Sequence, residues 1–255
     1  MTELVILGTA NSIPTADHEN THMALVCQSG VILVDCVGTP AVRLPQAGIN
    51  LDDIHDMILT HFHPDHVSAV PLLLMNMWLM GRQKPLRIYG LHHCLKRIED
   101  TMSFYRWENW PDFFPVSFHR LPEEERSLVL ENDEVRVTST PVRHLVPTIG
   151  LRFDHVGSDR AIAYSCDTEP CDSVVAMAAG ADLLIHEASG ATVGHSSAAQ
   201  AAEIARRAEV GRLMLIHYPC YPHVQAGLVE AAAQAYQGPT SLATDLMRIP
   251  LNSES

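Results

Sequence analysis

At 255 residues, with 47% hydrophobic and 18% charged residues, the chain can bury one large core and is not disordered. A formal net charge of −13 argues against a broad nucleic-acid-gripping surface, leaves room for a local basic patch, and would be partly offset by bound divalent metals. Fifteen histidines are many for this length, and several of them need a ligand or a shielded partner.

In chain order, Leu4–Leu7 reads as a strand ending at Gly8, followed by a polar loop with Pro14. Met23–Cys27 and Val31–Asp35 form a hairpin through Ser29-Gly30. Ala41–Ala47 is a short helix stopped by Gly48. Met57–Thr60 is a buried strand, Val67–Met80 a buried helix, and Arg87–Tyr89 a strand ended by Gly90. His92–Phe104 is a helix with Leu95, Ile98 and Met102 on one face.

The second half repeats this rhythm. Strands are expected at Val116–Leu121, Leu128–Leu130, Val135–Pro141, Ile149–Phe153, Ala161–Ser165, Leu183–His186 and Arg212–His217. Helices are expected at Ser173–Ala179, at Ser197–Ala208 with Ser196 or Ser197 as N-cap, and over most of Val224–Gln237. Ser241–Thr244 begins a last short strand. No low-complexity linker divides the chain, so one domain over 1–255 is expected, an α/β protein with two sheets face to face and helices outside.

Cys27, Cys36, Cys94, Cys166, Cys171 and Cys220 lack the spacing of a zinc ribbon or a redox pair. Glu3 interrupts the first apolar run, which argues against a signal peptide, and free thiols fit a reducing cytoplasm. Val70–Met80 is too short to span a bilayer, so no membrane association is expected.

The chemistry concentrates in His61-Phe62-His63-Pro64-Asp65-His66, directly after the strand Met57–Thr60. Alternate residues on a strand face the same way, so His61 and His63 can share one metal while Asp65 and His66 turn toward a second. His144, Asp167 and His217 each lie at or just beyond the end of an expected strand, where ligand groups gather in α/β sheets. Five histidines and two carboxylates suit two divalent ions. Taken singly, each of these three is more often a structural loop residue; together with the cluster they read as ligands.

The His-x-His-x-Asp-His form of residues 61–66 resembles the metallo-β-lactamase superfamily. Leu7-Gly8-Thr9 with Pro14, Val34-Asp35-Cys36 with Gly38-Thr39, Ile185-His186-Glu187-Ala188, Gly194-His195-Ser196 and Leu215-Ile216-His217-Tyr218 are similar to signatures of its ribonuclease Z branch. The resemblance implies a four-layer αβ/βα sandwich with the site at its rim. It implies one ion on His61, His63 and His144, another on Asp65, His66 and His217, and Asp167 as the bridge. Zinc is the implied metal, with manganese or iron also suited to these donors. The implied activity is hydrolysis of phosphodiesters, with Asp65 orienting the attacking water or accepting its proton. By the match to the branch signature His195 is the proton donor to the leaving oxygen, with Glu187 orienting it and Asp35 holding a ligand imidazole. The branch commonly forms homodimers, and Val70–Met80 and residues 104–114 offer surface for one.

The chain departs from the branch in three places. Only Leu145–Cys166 separates His144 from Asp167, which leaves no room for the arm with which bacterial ribonuclease Z enzymes clamp tRNA. Tyr218-Pro219-Cys220-Tyr221 lacks the arginine of the tRNA-processing enzymes, and the stretch from Glu187 to His195 is short. This weighs against pre-tRNA and toward a small or cyclic phosphodiester, within an expected function that covers RNA 3′-processing or small-diester hydrolysis and so an RNA or small-molecule phosphodiester substrate. An ester, lactone or thioester hydrolase on the same metal core is the alternative, and a non-catalytic metal-dependent binding protein the second. Of the remaining features, Phe104, Tyr105, Trp107, Trp110, Phe113 and Phe114 read as core or subunit contact, with a lid over the site as the alternative. His92 and His93, and the group Arg82, Lys84 and Arg87, read as solvent-facing.

Overall fold

The computed structural model describes residues 2–251. The first half builds β1 (Glu3–Gly8), β2 (His22–Cys27), β3 (Gly30–Val34), β4 (Ile54–Ile58), β5 (Leu86–Leu91) and β6 (Val116–Leu121). The second builds β7 (Ser127–Glu131), β8 (Val135–Val142), β9 (Thr148–His155), β10 (Ala161–Tyr164), β11 (Leu183–Glu187), β12 (Leu213–Ile216), β13 (Thr240–Leu242) and β14 (Arg248–Pro250). They form two seven-stranded sheets, ordered β14-β1-β2-β3-β4-β5-β6 and β13-β12-β11-β10-β9-β8-β7.

Strand alternation decides which side chain enters which layer. Leu4 and Ile6 of β1 join the core between the sheets, with Val135 and Val137 of β8 and Leu183 and Ile185 of β11. The intervening Val5 and Leu7 face outward into a second core with α1 (Pro40–Gln46), α3 (Val70–Leu79) and α4 (His92–Phe104). Leu184 faces outward on the other side, among the small residues of α5 (Asp172–Ala178), α6 (Ala198–Arg207) and α8 (Leu228–Ala233). The result is the expected four-layer sandwich. Ser197 caps α6 with a capping box that includes Gln200.

The departures from the sequence reading have local causes. Gly90 lies inside β5; a Cβ there would stand 2.9 Å from the Leu59 carbonyl oxygen, so close backbone approach and not strand termination requires the glycine. The helix expected over Val67–Met80 is two pieces, α2 (Pro64–Val67) and α3. Pro71 sits in the first turn of α3, where a missing N–H is tolerated, and the Ala69 N–H leaves the helix for the Cys36 carbonyl at 3.0 Å. The last helical stretch breaks at Gly227 into α7 (Pro222–Gln225) and α8. The sequence reading missed β14, which returns to pair antiparallel with β1.

Arg82 does not face solvent: it is buried, and its guanidinium donates to the carbonyls of Leu51, Asp52, Ile54, Lys84 and Pro85. Arg87 forks onto Asp56 and Lys84 pairs with Asp52. His92 is exposed as expected, whereas His93 is half-buried. Phe114 is buried and Trp107, Trp110 and Phe113 pack against the first outer core, while Phe104 and Tyr105 are exposed.

Two buried histidines outside the seven expected ligands contribute to acid stability. His22 on β2 donates from Nδ1 to the Asn20 carbonyl, and His186 on β11 to that of Glu187. Burial pushes both pKa values down to about 4. Both are neutral when folded, while the unfolded imidazoles take a proton near the ordinary 6.5. The unfolded chain therefore binds more protons between those limits, and stability is complete above pH ~6.5 and falls as the pH drops toward ~4. Urea titrations of the metal-free protein should show a loss on the order of 3 kcal/mol per histidine across that window. A flat stability between pH 7 and 4 would contradict this assignment.

Candidate metal centre

The site gathers where parallel strands end. Asp35 follows β3, residues 61–66 follow β4, Asp167 follows β10, Ser189 and His195 follow β11, and His217 follows β12. His144 comes from the loop after β8. The Ile149 N–H donates to the Thr60 carbonyl at 3.2 Å, tying the loop after β4 to β9 of the second sheet. Asp35, Cys166 and His217 all have left-handed backbone, with φ of 59°, 54° and 52°. Such conformations cost about 1–3 kcal/mol each in non-glycine residues and persist where surrounding structure holds them. Here they turn the chain sharply at the ends of three strands and aim side chains into one volume.

All seven expected ligand side chains meet there. His61 Nε2 and His144 Nε2 each lie 3.1 Å from His63 Nδ1. Nitrogens on one tetrahedral ion stand roughly 3.3 Å apart, so this is the spacing of a shared cation. Beside them, His217 Nε2 is 3.5 Å from Asp65 Oδ2, and His66 Nε2 is 3.9 Å from the same oxygen. Asp167 lies between the groups, with Oδ1 3.5 Å from His66 Nε2 and Oδ2 3.5 Å from His217 Nε2 and 3.9 Å from His144 Nε2.

Surrounding acceptors fix the tautomers. The Nδ1–H of His66 donates to Asp35 Oδ2 at 2.8 Å and that of His144 to the Gly194 carbonyl at 2.7 Å. The Thr60 hydroxyl donates to Asp35 Oδ2, so its oxygen accepts from His61 Nδ1 at 3.1 Å. Ser189 likewise donates to the His217 carbonyl and accepts from His217 Nδ1 at 2.9 Å. Four imidazoles are thus oriented to offer the Nε2 lone pair inward, the arrangement in which outer hydrogen bonds orient metal-binding histidines. Sequence reasoning found Asp35 but assigned no role to Thr60, to Ser189 or to the carbonyl of Gly194, although Gly194 stands in the Gly194-His195-Ser196 signature. Gly194 has φ +83°, and a Cβ there would stand 3.0 Å from His144 Nδ1.

His66 Nε2, His217 Nε2 and Asp167 Oδ1 are buried without a hydrogen-bond partner. Such orphans cost about 1–3 kcal/mol each, and a cation among them would satisfy all three. Charge agrees with this. Burial opposes ionisation of Asp167, but His217 and His66 outweigh it and hold the carboxyl well below the usual range. Burial opposes charge on His66 too, yet Asp167 and Asp35 raise its pKa well above the ordinary value, so positive charge is favoured at this nitrogen. The donor set of nitrogen and carboxylate oxygen fits divalent metal ions.

His195 adjoins this nest. Its Nδ1–H donates to Glu187 Oε1 at 2.9 Å and stands 4.0 Å from Asp167 Oδ2. Glu187 is buried and is held by the backbone N–H groups of Thr168 and Ser189. The hydrogen bond from His195 to Glu187, ahead of burial, raises the imidazole's pKa.

Asp35 supplies a test of this orientation. Asp35→Asn keeps the size but loses the charge that holds His66 and Thr60. Metal affinity, read by competition with a chelator, should fall ~10–100-fold. An unchanged affinity would remove Asp35 from the site's support.

A family profile described as "Beta-lactamase superfamily domain" matches residues 31–218. A protein named Ribonuclease Z from Mycobacterium sp. (strain KMS) is 31% identical over 281 aligned positions, covering 99% of this chain and 97% of its own. A Ribonuclease Z from Methanothermobacter thermautotrophicus is 29% identical over 313 positions, covering 99% and 98%. These alignments are longer than this chain's 255 residues, so both relatives carry segments that this chain lacks. Among solved structures, human tRNase Z, short form, superposes with a TM-score of 0.78 at 24% identity, covering 98% of this chain and 100% of its own. The metallo-beta-lactamase fold protein YhfI from Bacillus subtilis reaches the same TM-score of 0.78 at 20% identity, covering 97% and 98%. The chain belongs to the metallo-β-lactamase superfamily, in its ribonuclease Z-like branch.

Proposed function

We propose that this chain, acting as one domain, is a zinc-dependent phosphodiesterase whose substrate is a small or cyclic phosphodiester instead of pre-tRNA. The observation that carries the reading is the convergence of seven ligand-type side chains, with oriented lone pairs, beside the His195–Glu187 pair. Divalent ions held by His61, His63, His144, Asp65, His66, His217 and Asp167 would activate water at neutral pH and stabilise charge on the phosphodiester oxygens.

The chain's own groups do the rest. Burial raises the Asp65 pKa, but His217 and His66 outweigh it and hold the carboxyl below its ordinary value. Asp65 is therefore an acceptor that orients the attacking water, more than a base that keeps its proton. His195, with Nδ1 engaged by Glu187, presents Nε2 as the acid that protonates the leaving oxygen. Glu187 acts through His195 as a positioning residue.

The preference for a small substrate rests on the loop where an arm would stand. β9 and β10 are joined by residues 156–160 alone. The net charge of −13 supports the same choice. Six free cysteines support a reducing cytoplasm, and among the described residues no helix is long and apolar enough to cross a membrane. Exposed Leu79, Met80, Phe104 and Tyr105 support a homodimer.

Elemental analysis of the purified protein, together with assay on bis(p-nitrophenyl) phosphate, tests the reading. Two ions per chain with turnover are expected. Two ions without turnover would shift the assignment to ester, lactone or thioester substrates, and no ion after reconstitution would overturn the site.

A further inference from the structure

An open cavity of about 620 Å³ lies beside His144, lined among others by Pro141, Val142, Arg143, Leu145, Cys171 and Ser173. Its volume is in the range of small-ligand sites. Arg143 is the one cationic side chain on its wall, Asp172, whose carboxylate is paired with Arg207 at 2.6 Å, is the one acidic side chain, and His144, which faces His63 in the metal-type nest, lines it too.

Arg143 is fixed at its backbone and free at its tip. Its N–H donates to Thr168 Oγ1 at 3.2 Å, and its carbonyl accepts from the Glu169 N–H at 2.7 Å. The side chain is 67% exposed, and the guanidinium reaches Glu169 Oε2 only at 4.0 Å. An exposed pair at that separation is weak. Glu169 is itself engaged, accepting from the Gly194 N–H at 2.9 Å. Arg82 is committed to carbonyls, Arg87 to Asp56, Arg206 to Glu203 and Arg207 to Asp172, while Arg106 and Arg212, which also lack a side-chain partner among the described residues, do not line this cavity. In a chain of net charge −13, an uncommitted guanidinium next to a ligand-type histidine is a feature the hydrolytic chemistry leaves unused. A guanidinium fork matches phosphate oxygens, and the apolar wall of Pro141, Val142 and Leu145 suits the sugar or base between two phosphates.

We propose that this cavity is a subsite for a second phosphate on the substrate, one nucleotide from the scissile diester, and that Arg143 holds it. The inference rests on the phosphodiesterase reading and narrows its substrate class to nucleotides with an adjoining phosphate. That phosphate is either the terminal monoester of a small nucleotide or the next diester of an oligonucleotide.

The test compares UpU, which has no second phosphate, with 5′-phosphorylated pUpU and with UpUpU, using metal-loaded wild type and Arg143→Ala. Wild type should favour pUpU or UpUpU over UpU in kcat/KM by ~10-fold or more, mostly through KM, and the variant should lose that preference. Binding of uridine 3′,5′-bisphosphate against uridine 3′-monophosphate, by calorimetry, should show the same loss. The preferred trimer or phosphorylated dimer identifies the source of the phosphate. A wild type that cleaves bis(p-nitrophenyl) phosphate but treats all three nucleotides alike would overturn the subsite. So would a preference that survives in Arg143→Ala. A wild type that cleaves no diester at all would instead overturn the functional reading beneath it.

Discussion

Asp167→Ala should strip the centre of metal and abolish turnover. Asp167 is 2% exposed and faces three imidazole nitrogens at 3.5–3.9 Å, two of them in one triad and one in the other. No neighbouring carboxylate can replace it: Asp65 is turned toward His66 and His217, and Glu187 is bound to His195. Removing an outer partner of a metal ligand costs ~10–100-fold in affinity, so loss of a shared carboxylate should exceed that. Elemental analysis after dialysis should find fewer than two ions per chain, and activity on bis(p-nitrophenyl) phosphate should be lost without recovery on added metal. Circular dichroism should report an intact fold, because the layers on either side are held by apolar cores. A variant with two ions and wild-type turnover would show that Asp167 bridges nothing.

The sandwich and most of this centre were legible in the sequence for a physical reason. Strand alternation such as Leu4, Val5, Ile6, Leu7 encodes two buried faces directly, and His61–His66 places its ligand types at local spacing. What was not legible depends on tertiary approach. β14 has three residues, Arg248–Pro250, one of them a proline, and only pairing with β1 makes it a strand. Gly90 reads as a strand end until the Leu59 carbonyl is seen against it. Arg82 reads as surface charge until carbonyls from Leu51, Asp52 and Ile54 converge on it. The hydroxyls of Thr60 and Ser189 set tautomers, yet serine and threonine near strand ends are too common to signal that role.

His195→Ala should separate metal binding from proton transfer. His195 Nδ1 is engaged by Glu187 at 2.9 Å and stands 4.0 Å from Asp167 Oδ2, and the seven expected ligand side chains remain without it. The variant should retain two ions. Its loss should depend on the leaving group. A dinucleotide such as UpU expels a poor alkoxide that needs a proton, so turnover should fall ~10²–10⁴-fold. Bis(p-nitrophenyl) phosphate expels a stable phenolate, and its loss should be much smaller. Glu187→Gln should move in the same direction by less. It keeps an acceptor for Nδ1–H but removes the charge that raises the imidazole's pKa, so its pH profile on UpU should fall off at lower pH than in wild type. Equal losses on both substrates, or loss of metal in His195→Ala, would make the imidazole a structural or ligating group and leave the leaving oxygen without an acid.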